Sequence, residues 1–294
     1  MDRKDFIKKG LLGTGIFMTT GSFAHILKND IDELRELEPM GFNHLPSPET
    51  IKTDHMILHK ANTRGQANHG WLNSYHSFSF AGYYNPDRMH FGALRVLNDD
   101  TISGGSGFGT HPHDNMEIIS IPLEGDLEHK DSMGTTSTIR HGDIQVMSAG
   151  SGVQHSEYNP NADRQTKFLQ IWLFPNKRNV APRYDQVTLN MADRHNKLQQ
   201  VLSPNADDDG VWIHQDAWFH MGDFDKGVQT NYDFKKKGNG VYAFILKGDF
   251  TINGQELNER DGLGVWDVSQ LEITANSDNA SILLMEVPMT LTQG

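Results

Sequence analysis

The chain has 294 residues, a formal net charge of -12 and no cysteine. This length allows one large domain or two of ordinary size, and the acidic balance argues against the phosphate-binding surface that a nucleic-acid partner would need. Without cysteine the chain has no disulfide, thiolate metal site, cysteine nucleophile or lipoprotein anchor, so any metal must be bound by His, Asp or Glu.

The first 24 residues have the layout of an export signal. A basic head precedes an apolar, glycine-containing stretch, and a small-x-small ending follows at residues 22–24. Residues 3–8, RKDFIK, resemble the twin-arginine export motif with Lys4 in place of the second arginine. The apolar stretch is too short and too polar for a membrane span. We therefore expect a periplasmic protein with no stable membrane anchor; the alternative is a cytoplasmic protein with an amphipathic N-terminal helix.

Residues 25–50 are predicted to form a short helix over 30–37 and then a proline-containing linker, outside the core. Beyond this linker, short apolar alternations separated by Gly, Asn and Asp dominate, a pattern typical of an all-β sandwich or barrel. The sequence predicts a glycine-rich loop over 101–109, and it places His129 and Asp131 in a loop as well. The predicted strands include residues 91–97, 117–123, 143–147 and 168–174.

A weak internal repeat relates the two halves of the chain. Residues 241–246 lead into Lys-Gly-Asp, and they echo residues 118–123, which lead into Glu-Gly-Asp 123 positions earlier. A repeat of this length suggests that one barrel has been duplicated. We therefore predict two domains, at residues 51–186 and 187–294.

Two histidines spaced by one residue, His111 and His113, stand at the start of an apolar alternating run. On a β-strand, residues i and i+2 point to the same face, so both imidazoles would aim at one point. Converging neutral imidazoles are typical of a transition-metal site. The repeat aligns these two positions with Phe234 and Lys236, so a metal bound by only one half belongs to the first half.

A second pair, His155 and Glu157, has the same spacing and follows a predicted strand and a glycine-rich turn. Two strands that each present one pair could surround a single ion with four ligands. Three nitrogens and one carboxylate oxygen suit Fe(II), Mn(II), Ni(II), Cu(II) or Zn(II), and the order of affinities does not choose among them. In the alternative interpretation, His155 donates a hydrogen bond within a loop and Glu157 is a solvated surface acid.

The segments around these pairs resemble the pirin family of bicupins. Residues 109–134, GTHPHDNMEIISIPLEGDLEHKDSMG, and residues 142–159, GDIQVMSAGSGVQHSEYN, carry the resemblance, and residues 71–100 resemble the segment that precedes them in that family. The resemblance extends over roughly residues 56–290 and is densest over 69–186. It implies two cupin β-barrels of the jelly-roll type in one chain, with a single metal ion in the N-terminal barrel and none in the C-terminal one.

The resemblance also implies a ligand set. The ion would be one divalent transition metal, with Fe as the first expectation and Mn, Ni, Cu, Co or Zn as alternatives, and its ligands would be His111, His113, His155 and Glu157. A general cupin takes its carboxylate ligand from a position three or four residues after the histidine pair, which Glu117 occupies here. Pirin-type chains use the acid two residues after the last histidine. This favours Glu157 and leaves Glu117 as a neighbour of the site.

Bacterial pirin-like proteins resemble quercetin 2,3-dioxygenases, which implies that a flavonol ring is opened with O₂ and carbon monoxide is released. Coordination lowers the pKa of the weakly acidic flavonol 3-hydroxyl, and a carboxylate beside the metal removes the proton. Glu157 would then be the catalytic base as well as a ligand. The implied partners are a flavonol-like aromatic molecule and O₂, without nucleic acid, and the oligomeric state is not specified. Four phenylalanines either line a flat pocket or belong to the ordinary core: Phe78, Phe80, Phe91 and Phe108.

Two other functions are compatible with the same residues. One is a non-enzymatic, pirin-like metal-binding or regulatory protein, and the other is a cupin that keeps the ligands for stability alone. Export would disfavour the regulatory function, because partners in transcription are cytoplasmic. Loss of the flavonol absorbance band in the presence of the metal-loaded protein would separate the enzyme from both alternatives.

Overall fold

The computed structural model describes residues 50–53 and 55–291. The predicted export signal at 1–24 and the predicted linker up to residue 49 lie outside these residues. The described chain is built from β-strands, with short 3-10 helices at Ala61–Thr63, Pro86–Arg88 and Met191–Arg194. None of the described residues forms a helix long and apolar enough to cross a membrane.

The predicted second domain begins at residue 187. Twelve strands of the described chain lie before this residue, and a thirteenth includes it. They are β1 (Thr50–Thr53), β2 (Met56–His59), β3 (Gly65–Asn68), β4 (Leu72–His76), β5 (Leu94–Ile102), β6 (Gly107–His113), β7 (Glu117–Glu124), β8 (Asp126–Asp131), β9 (Thr136–Arg140), β10 (Asp143–Ser148), β11 (Val153–Tyr158), β12 (Thr166–Leu173) and β13 (Arg183–Thr188).

Ten strands follow. They are β14 (Gln199–Ser203), β15 (Val211–Trp212), β16 (Trp218–Phe224), β17 (Gln229–Asp233), β18 (Asn239–Lys247), β19 (Phe250–Ile252), β20 (Gln255–Leu257), β21 (Gly262–Trp266), β22 (Gln270–Ala275) and β23 (Ala280–Pro288).

The strands form two barrels, each made of one large and one small sheet, and the all-β, two-cupin prediction is confirmed. In the first barrel the seven-stranded sheet has the order β13-β10-β7-β12-β5-β4-β3, and the four-stranded sheet has the order β6-β11-β8-β9. In the second barrel the orders are β1-β2-β21-β18-β23-β16-β14-β15 and β17-β22-β19-β20. The central runs β10-β7-β12-β5 and β21-β18-β23-β16 follow the same chain order, which is the structural counterpart of the sequence repeat.

Strands β1 and β2 join the sheet of the second barrel, because β2 pairs antiparallel with β21 from Met56–Val265 to His59–Gly262. The predicted domain boundary at residue 51 assigns these strands to the first barrel. The boundary itself stays a prediction, but the hydrogen bonds of this segment are made within the second barrel.

The two large sheets pack face to face through a shared apolar core. Ile119 and Ile121 of β7 contribute to it from the first barrel, and Phe219 and Met285 contribute from the second. Full burial of each such side chain stabilises the fold by about 1.5–3 kcal/mol. The alternate residues of β7 face the interior of the first barrel, where Ile118 packs in a separate small cluster. Because both faces of β7 are covered, its first six residues are all buried.

Two local predictions were wrong. Strand β6 begins at Gly107, inside the segment predicted as a loop, because this part of the chain pairs with β11 up to Tyr158. His129 and Asp131 lie in strand β8 rather than in a loop. Strand β8 is hydrogen-bonded to β11 on one side and β9 on the other, so pairing across the sheet overrides the turn-like composition around it.

Candidate metal centre

Strands β6 and β11 bring three imidazoles together at one end of the first barrel. The two strands are antiparallel neighbours, with His155 opposite His111 and Val153 opposite His113. The His111–His155, His111–His113 and His113–His155 ring centroids are 4.5, 4.8 and 4.9 Å apart. One ring nitrogen from each residue lies within 4.8 Å of the others. The one-residue spacing within each pair predicts that the side chains share one face of the strand, as observed here.

The imidazole nitrogens that face the centre of this cluster are available to bind an ion. Nε2 of His113 and Nε2 of His155 are buried and have no hydrogen-bond partner among the described residues. His111 uses Nδ1 in a 2.8 Å contact with the Gly109 carbonyl oxygen, which leaves its Nε2 available. A buried polar atom without a partner costs about 1–3 kcal/mol, so two of them at one point, beside the available Nε2 of His111, indicate a site built for something that binds nitrogen lone pairs.

Burial favours the neutral form of all three imidazoles. Burial and, to a smaller extent, the proximity of His111 lower the pKa of His113 to about 3. Burial also lowers the pKa of His155 far below its usual value, with additional contributions from His111 and His113. The pKa of His111 is lowered for the same principal reason. Neutral imidazole is the form that binds a metal, so no proton has to leave these residues at neutral pH.

Glu157 is buried beside the cluster but is held by other side chains. Its Oε2 accepts a 2.6 Å hydrogen bond from Nε2 of Gln170, and its Oε1 accepts one of 3.0 Å from Oγ of Ser120. Burial raises its pKa to about 7, although both hydrogen bonds act to lower it. Its carboxylate groups with His129 and His155 within 4.8 Å, not with the full set of three histidines. The role of Glu157 as a ligand therefore stays a prediction.

Glu117, the carboxylate of the general cupin pattern, belongs to neither cluster within the described residues. Its Oε2 accepts a 2.6 Å hydrogen bond from Oγ of Ser148, which lies opposite it on β10. Burial raises its pKa to about 7, and the Ser148 hydrogen bond and the charge of Arg183 oppose that change. Its side chain shares the face of β7 that points to the neighbouring barrel, which separates it from the imidazoles.

An aromatic wall adjoins the cluster. The ring of His113 meets Trp172 edge to face at 4.9 Å, and Trp172 meets Phe80 edge to face at 5.4 Å. Of the phenylalanines considered from the sequence, Phe80 is the one that reaches this wall. Phe78 and Phe91 are buried in the core shared by the two barrels.

The fourth phenylalanine, Phe108, packs against Trp71 at 5.3 Å in the separate apolar cluster at the other end of the barrel. The sequence does not mark Trp172 as a site residue, because it lies in a buried apolar strand that resembles any core strand. Its position on β12, with its ring against that of His113, identifies it in the structure.

His129 and Asp131 lie next to the three clustered histidines. Nε2 of His129 lies 3.0 Å from Oδ2 of Asp131, and its Nδ1 lies 3.4 Å from Nδ1 of His155. Both ring nitrogens of His129 are thus engaged, so it borders the cluster rather than enlarging it. The sequence signal was present, since His129 and Asp131 repeat the one-residue spacing of the other two pairs.

The residues fit a divalent transition metal ion. Three neutral imidazoles with open Nε2 atoms form one donor group, and a buried carboxylate lies next to it. Nitrogen donors with a carboxylate suit Mn, Fe, Co, Ni, Cu or Zn and do not distinguish among them. The equivalent strands of the second barrel, β17 and β22, contain no histidine, so the structure offers no matching cluster there.

Comparison with known proteins agrees with this architecture. The Pirin family model matches residues 58–173, and the model of the quercetinase C-terminal cupin domain matches residues 200–287. A quercetin 2,3-dioxygenase of Escherichia coli (strain K12) is 45% identical over 233 residues, which cover 79% of this chain and 99% of that protein. A pirin-like protein of Caulobacter vibrioides is 40% identical over 221 residues, or 75% of this chain and 94% of that protein.

A solved structure matches as well. The crystal structure of the bacterial pirin YhhW from Escherichia coli in complex with nickel(II) has a TM-score of 0.75 and 43% sequence identity, and the match covers 80% of this chain and all of that one. Two jelly-roll barrels with a metal-binding His/Glu cluster in the first define a bicupin. Since extensive sequence identity accompanies the shared fold, the chain belongs to the pirin family.

Proposed function

We propose that this protein is a metal-dependent oxidoreductase of the quercetin 2,3-dioxygenase type. It would open the central ring of a flavonol, consuming one O₂ and releasing one carbon monoxide for each ring opened. The family supports a metal-dependent cupin function, and the names of several relatives support an oxidoreductase. That the substrate is a flavonol is part of the proposal itself.

The convergence of three open imidazole nitrogens supports the proposal most directly. His111, His113 and His155 would hold the ion from one side of the barrel, with Glu157 as the fourth ligand. A divalent transition metal bound there would supply a Lewis acid that lowers the pKa of the flavonol 3-hydroxyl and a centre that orients the flavonol beside O₂. Three or four protein ligands leave coordination positions open for those two molecules.

Glu157 suits the role of general base. Burial raises its pKa in the metal-free protein to about 7, and a bound cation would hold the carboxylate in the charged form that can accept a proton. The carboxylate would take the proton of the flavonol 3-hydroxyl on Oε1 or Oε2. Gln170 and Ser120 hold both oxygens in place through hydrogen bonds, so the carboxylate is oriented before the substrate arrives.

The aromatic wall suits a flat substrate. Trp172 and Phe80 adjoin the cluster, and the indole Nε1 of Trp172 is buried without a hydrogen-bond partner among the described residues. Nδ1 of His76, whose ring packs against Phe80 at 5.3 Å, is also without one. Aromatic faces with a few free polar atoms are typical of pockets for planar hydroxylated molecules.

The experiment loads metal-free protein separately with Fe, Mn, Ni, Cu and Co and adds quercetin in air. We expect the flavonol absorbance band to disappear and carbon monoxide to form with at least one metal. The substitution His113→Ala should abolish both bound metal and turnover. His220→Gln changes a histidine that is equally buried, but in the second barrel, and it should leave both unchanged.

The outcomes separate the candidate functions. Metal binding without any loss of quercetin would contradict the oxygenase and favour the non-enzymatic metal-binding or regulatory protein. Turnover retained in His113→Ala would contradict the assigned site. Failure to bind any of the five metals would contradict both functions.

A further inference from the structure

The Asp131–His129 pair is a buried polar chain that the proposed reaction does not use. We propose that Asp131 and His129 are positioning residues, which fix the ring proton of His155 on Nδ1 and thereby aim its Nε2 lone pair at the cation. This inference rests on the proposed metal function of the site. It assigns a task to two side chains that lie outside the group of His111, His113 and His155.

Strand register places the pair beside the ligands. Strands β8 and β11 are antiparallel, with Asp131 opposite His155 and His129 opposite Glu157. Oδ2 of Asp131 lies 3.0 Å from Nε2 of His129, and Nδ1 of His129 lies 3.4 Å from Nδ1 of His155. The side chains of Asp131 and His129 are both 0% exposed, so water does not compete for these contacts.

The proton positions follow from the contacts. A neutral imidazole that binds a cation through Nε2 carries its one proton on Nδ1. For His155 the partner of that proton is Nδ1 of His129, which must therefore be an acceptor. The proton of His129 then resides on Nε2, where the Asp131 carboxylate accepts it. The carboxylate thus sets the tautomer of His129, and His129 sets the tautomer of His155.

The orientation of Asp131 is itself fixed. Its Oδ1 accepts hydrogen bonds from the backbone N–H groups of Met133 at 2.9 Å and Thr135 at 3.0 Å. This leaves Oδ2 as the oxygen that faces His129. The turn after β8 therefore anchors the whole chain of hydrogen bonds.

This anchoring makes Asp131→Asn informative. The asparagine oxygen must take the place of Oδ1 to accept the two backbone N–H groups, so the NH₂ group faces Nε2 of His129. His129 would then carry its proton on Nδ1 and donate it to Nδ1 of His155. The proton of His155 would move to Nε2, into the position of the cation. A carboxylate-to-amide change of this kind inverts a histidine tautomer without altering the shape of the side chain.

The experiment uses Zn(II) as the probe, with affinity measured by competition against a chelator. Two-bond proton–nitrogen spectra of histidine-labelled protein report which ring nitrogen carries the proton, with and without Zn(II). We expect wild-type His129 to carry its proton on Nε2 and Asp131→Asn to carry it on Nδ1. Zn(II) affinity should fall about tenfold or more in the variant, the usual effect of losing an outer partner of a ligand.

Asp143→Asn is the matched control. Asp143 is also buried in the first barrel, and it also accepts a backbone N–H, from Arg140 at 2.8 Å, but it contacts none of the three histidines. This variant should keep wild-type Zn(II) affinity and the wild-type tautomer of His129. Thermal unfolding of the metal-free proteins establishes that all of them are folded.

A second pair of variants tests His129 itself. In His129→Gln the side-chain oxygen can accept from His155 while the NH₂ group donates to Asp131, so Zn(II) affinity should stay within a few-fold of wild type. His129→Leu removes the acceptor and should lose about tenfold or more. Equal losses in the two variants would overturn the proposal.

The other outcomes distinguish failure of this inference from failure of the proposed function. Wild-type Zn(II) affinity in Asp131→Asn, or a proton on Nδ1 of His129 in the wild type, would overturn this inference and leave the proposed function standing. Absence of Zn(II) binding by the wild-type protein would overturn this inference, and the proposed function would fall with it only if Fe, Mn, Ni, Cu and Co also failed to bind.

Discussion

The side-chain amide of Gln170 donates a 2.6 Å hydrogen bond to the carboxylate of Glu157 inside the first barrel. A hydrogen bond to the charged form of a carboxyl lowers its pKa, so Gln170 opposes the effect of burial on Glu157. Burial favours the neutral form of the neighbouring imidazoles, so Glu157 is the group within the candidate ligand set whose pKa lies in the neutral range. The pH dependence of metal binding should therefore report on this one hydrogen bond.

Gln170→Leu should shift metal binding to higher pH. Losing a hydrogen bond to a charged group costs about 1.5–3 kcal/mol, which corresponds to about one to two units in the pKa of Glu157. The wild-type affinity should rise with pH to a plateau above about 7, and the variant should need a correspondingly higher pH. Titration of Ni(II) binding against pH measures both curves.

Gln145→Leu provides the control, because Gln145 is equally buried in the first barrel but neither of its amide atoms has a partner among the described residues. Its curve should coincide with that of the wild type. An unshifted curve for Gln170→Leu would show that Glu157 is not the group that loses the proton on metal binding.

Trp172→Leu should weaken substrate binding and leave the metal in place. The indole of Trp172 meets the ring of His113 but offers the ion no ligand atom, so metal content should stay at the wild-type level. Loss of an aromatic contact with quercetin costs about 0.5–1.5 kcal/mol beyond the lost area, so we expect KM to rise about threefold to tenfold or more.

Trp71→Leu is the corresponding control, since Trp71 makes the same kind of edge contact with Phe108 in the separate cluster. Steady-state kinetics with quercetin measure KM for both variants. An unchanged KM in Trp172→Leu, or an equal rise in both variants, would contradict the placing of the substrate beside the aromatic wall.

Glu117 should make the metal-free protein less stable as pH rises. Its folded-state pKa is about 7, whereas an unfolded chain has the ordinary value of 4.5. Between these two values the folded state holds more protons than the unfolded state, so the free energy of unfolding falls with increasing pH. The slope should reach about 1.4 kcal/mol per pH unit in this window.

Glu117→Gln removes that contribution. The difference in unfolding free energy, wild type minus variant, should decline from about pH 4.5 to pH 7 in denaturant titrations with a chelator present. In Gln145→Leu, which changes a buried side chain on the neighbouring strand β10 and removes no ionisable group, the corresponding difference should be flat. A flat difference for Glu117→Gln as well would contradict the view that this carboxyl is buried and protonated.

Export remains a prediction that a fractionation experiment can test. Changing Arg3 and Lys4 together to Gln should retain the protein in the cytoplasm, because the twin-arginine-like pair would be lost. Changing Lys8 and Lys9 to Gln keeps that pair and should preserve export. Recovery of the unchanged protein in the cytoplasmic fraction alone would favour the cytoplasmic alternative.

The sequence predicted the architecture well because its strongest signals are local. One-residue spacing on a strand fixes a shared face, so the convergence of His111 with His113 followed from backbone geometry alone. The repeat of an apolar strand before a Gly-Asp turn indicated the duplicated barrel. In the structure, β7 and β18 occupy equivalent positions in the strand orders of their two sheets.

Features that depend on register between distant strands were not predictable in the same way. His129 and Asp131 were placed in a loop because their pairing with β11 cannot be inferred from turn-like neighbours. Trp172 resembled any core residue until its position beside His113 was known. The hydrogen bonds from Gln170 and Ser120 to Glu157 join three different strands, and no spacing in the sequence encodes them.

Diffraction from crystals loaded with Ni(II), recorded at the nickel absorption edge, tests the central claim most directly. We predict one anomalous peak in the first barrel, bonded to Nε2 of His111, His113 and His155 with a carboxylate oxygen of Glu157 completing the protein ligands. The same crystals of His113→Ala should show no such peak. A wild-type peak at any other place, or none at all, would contradict the account.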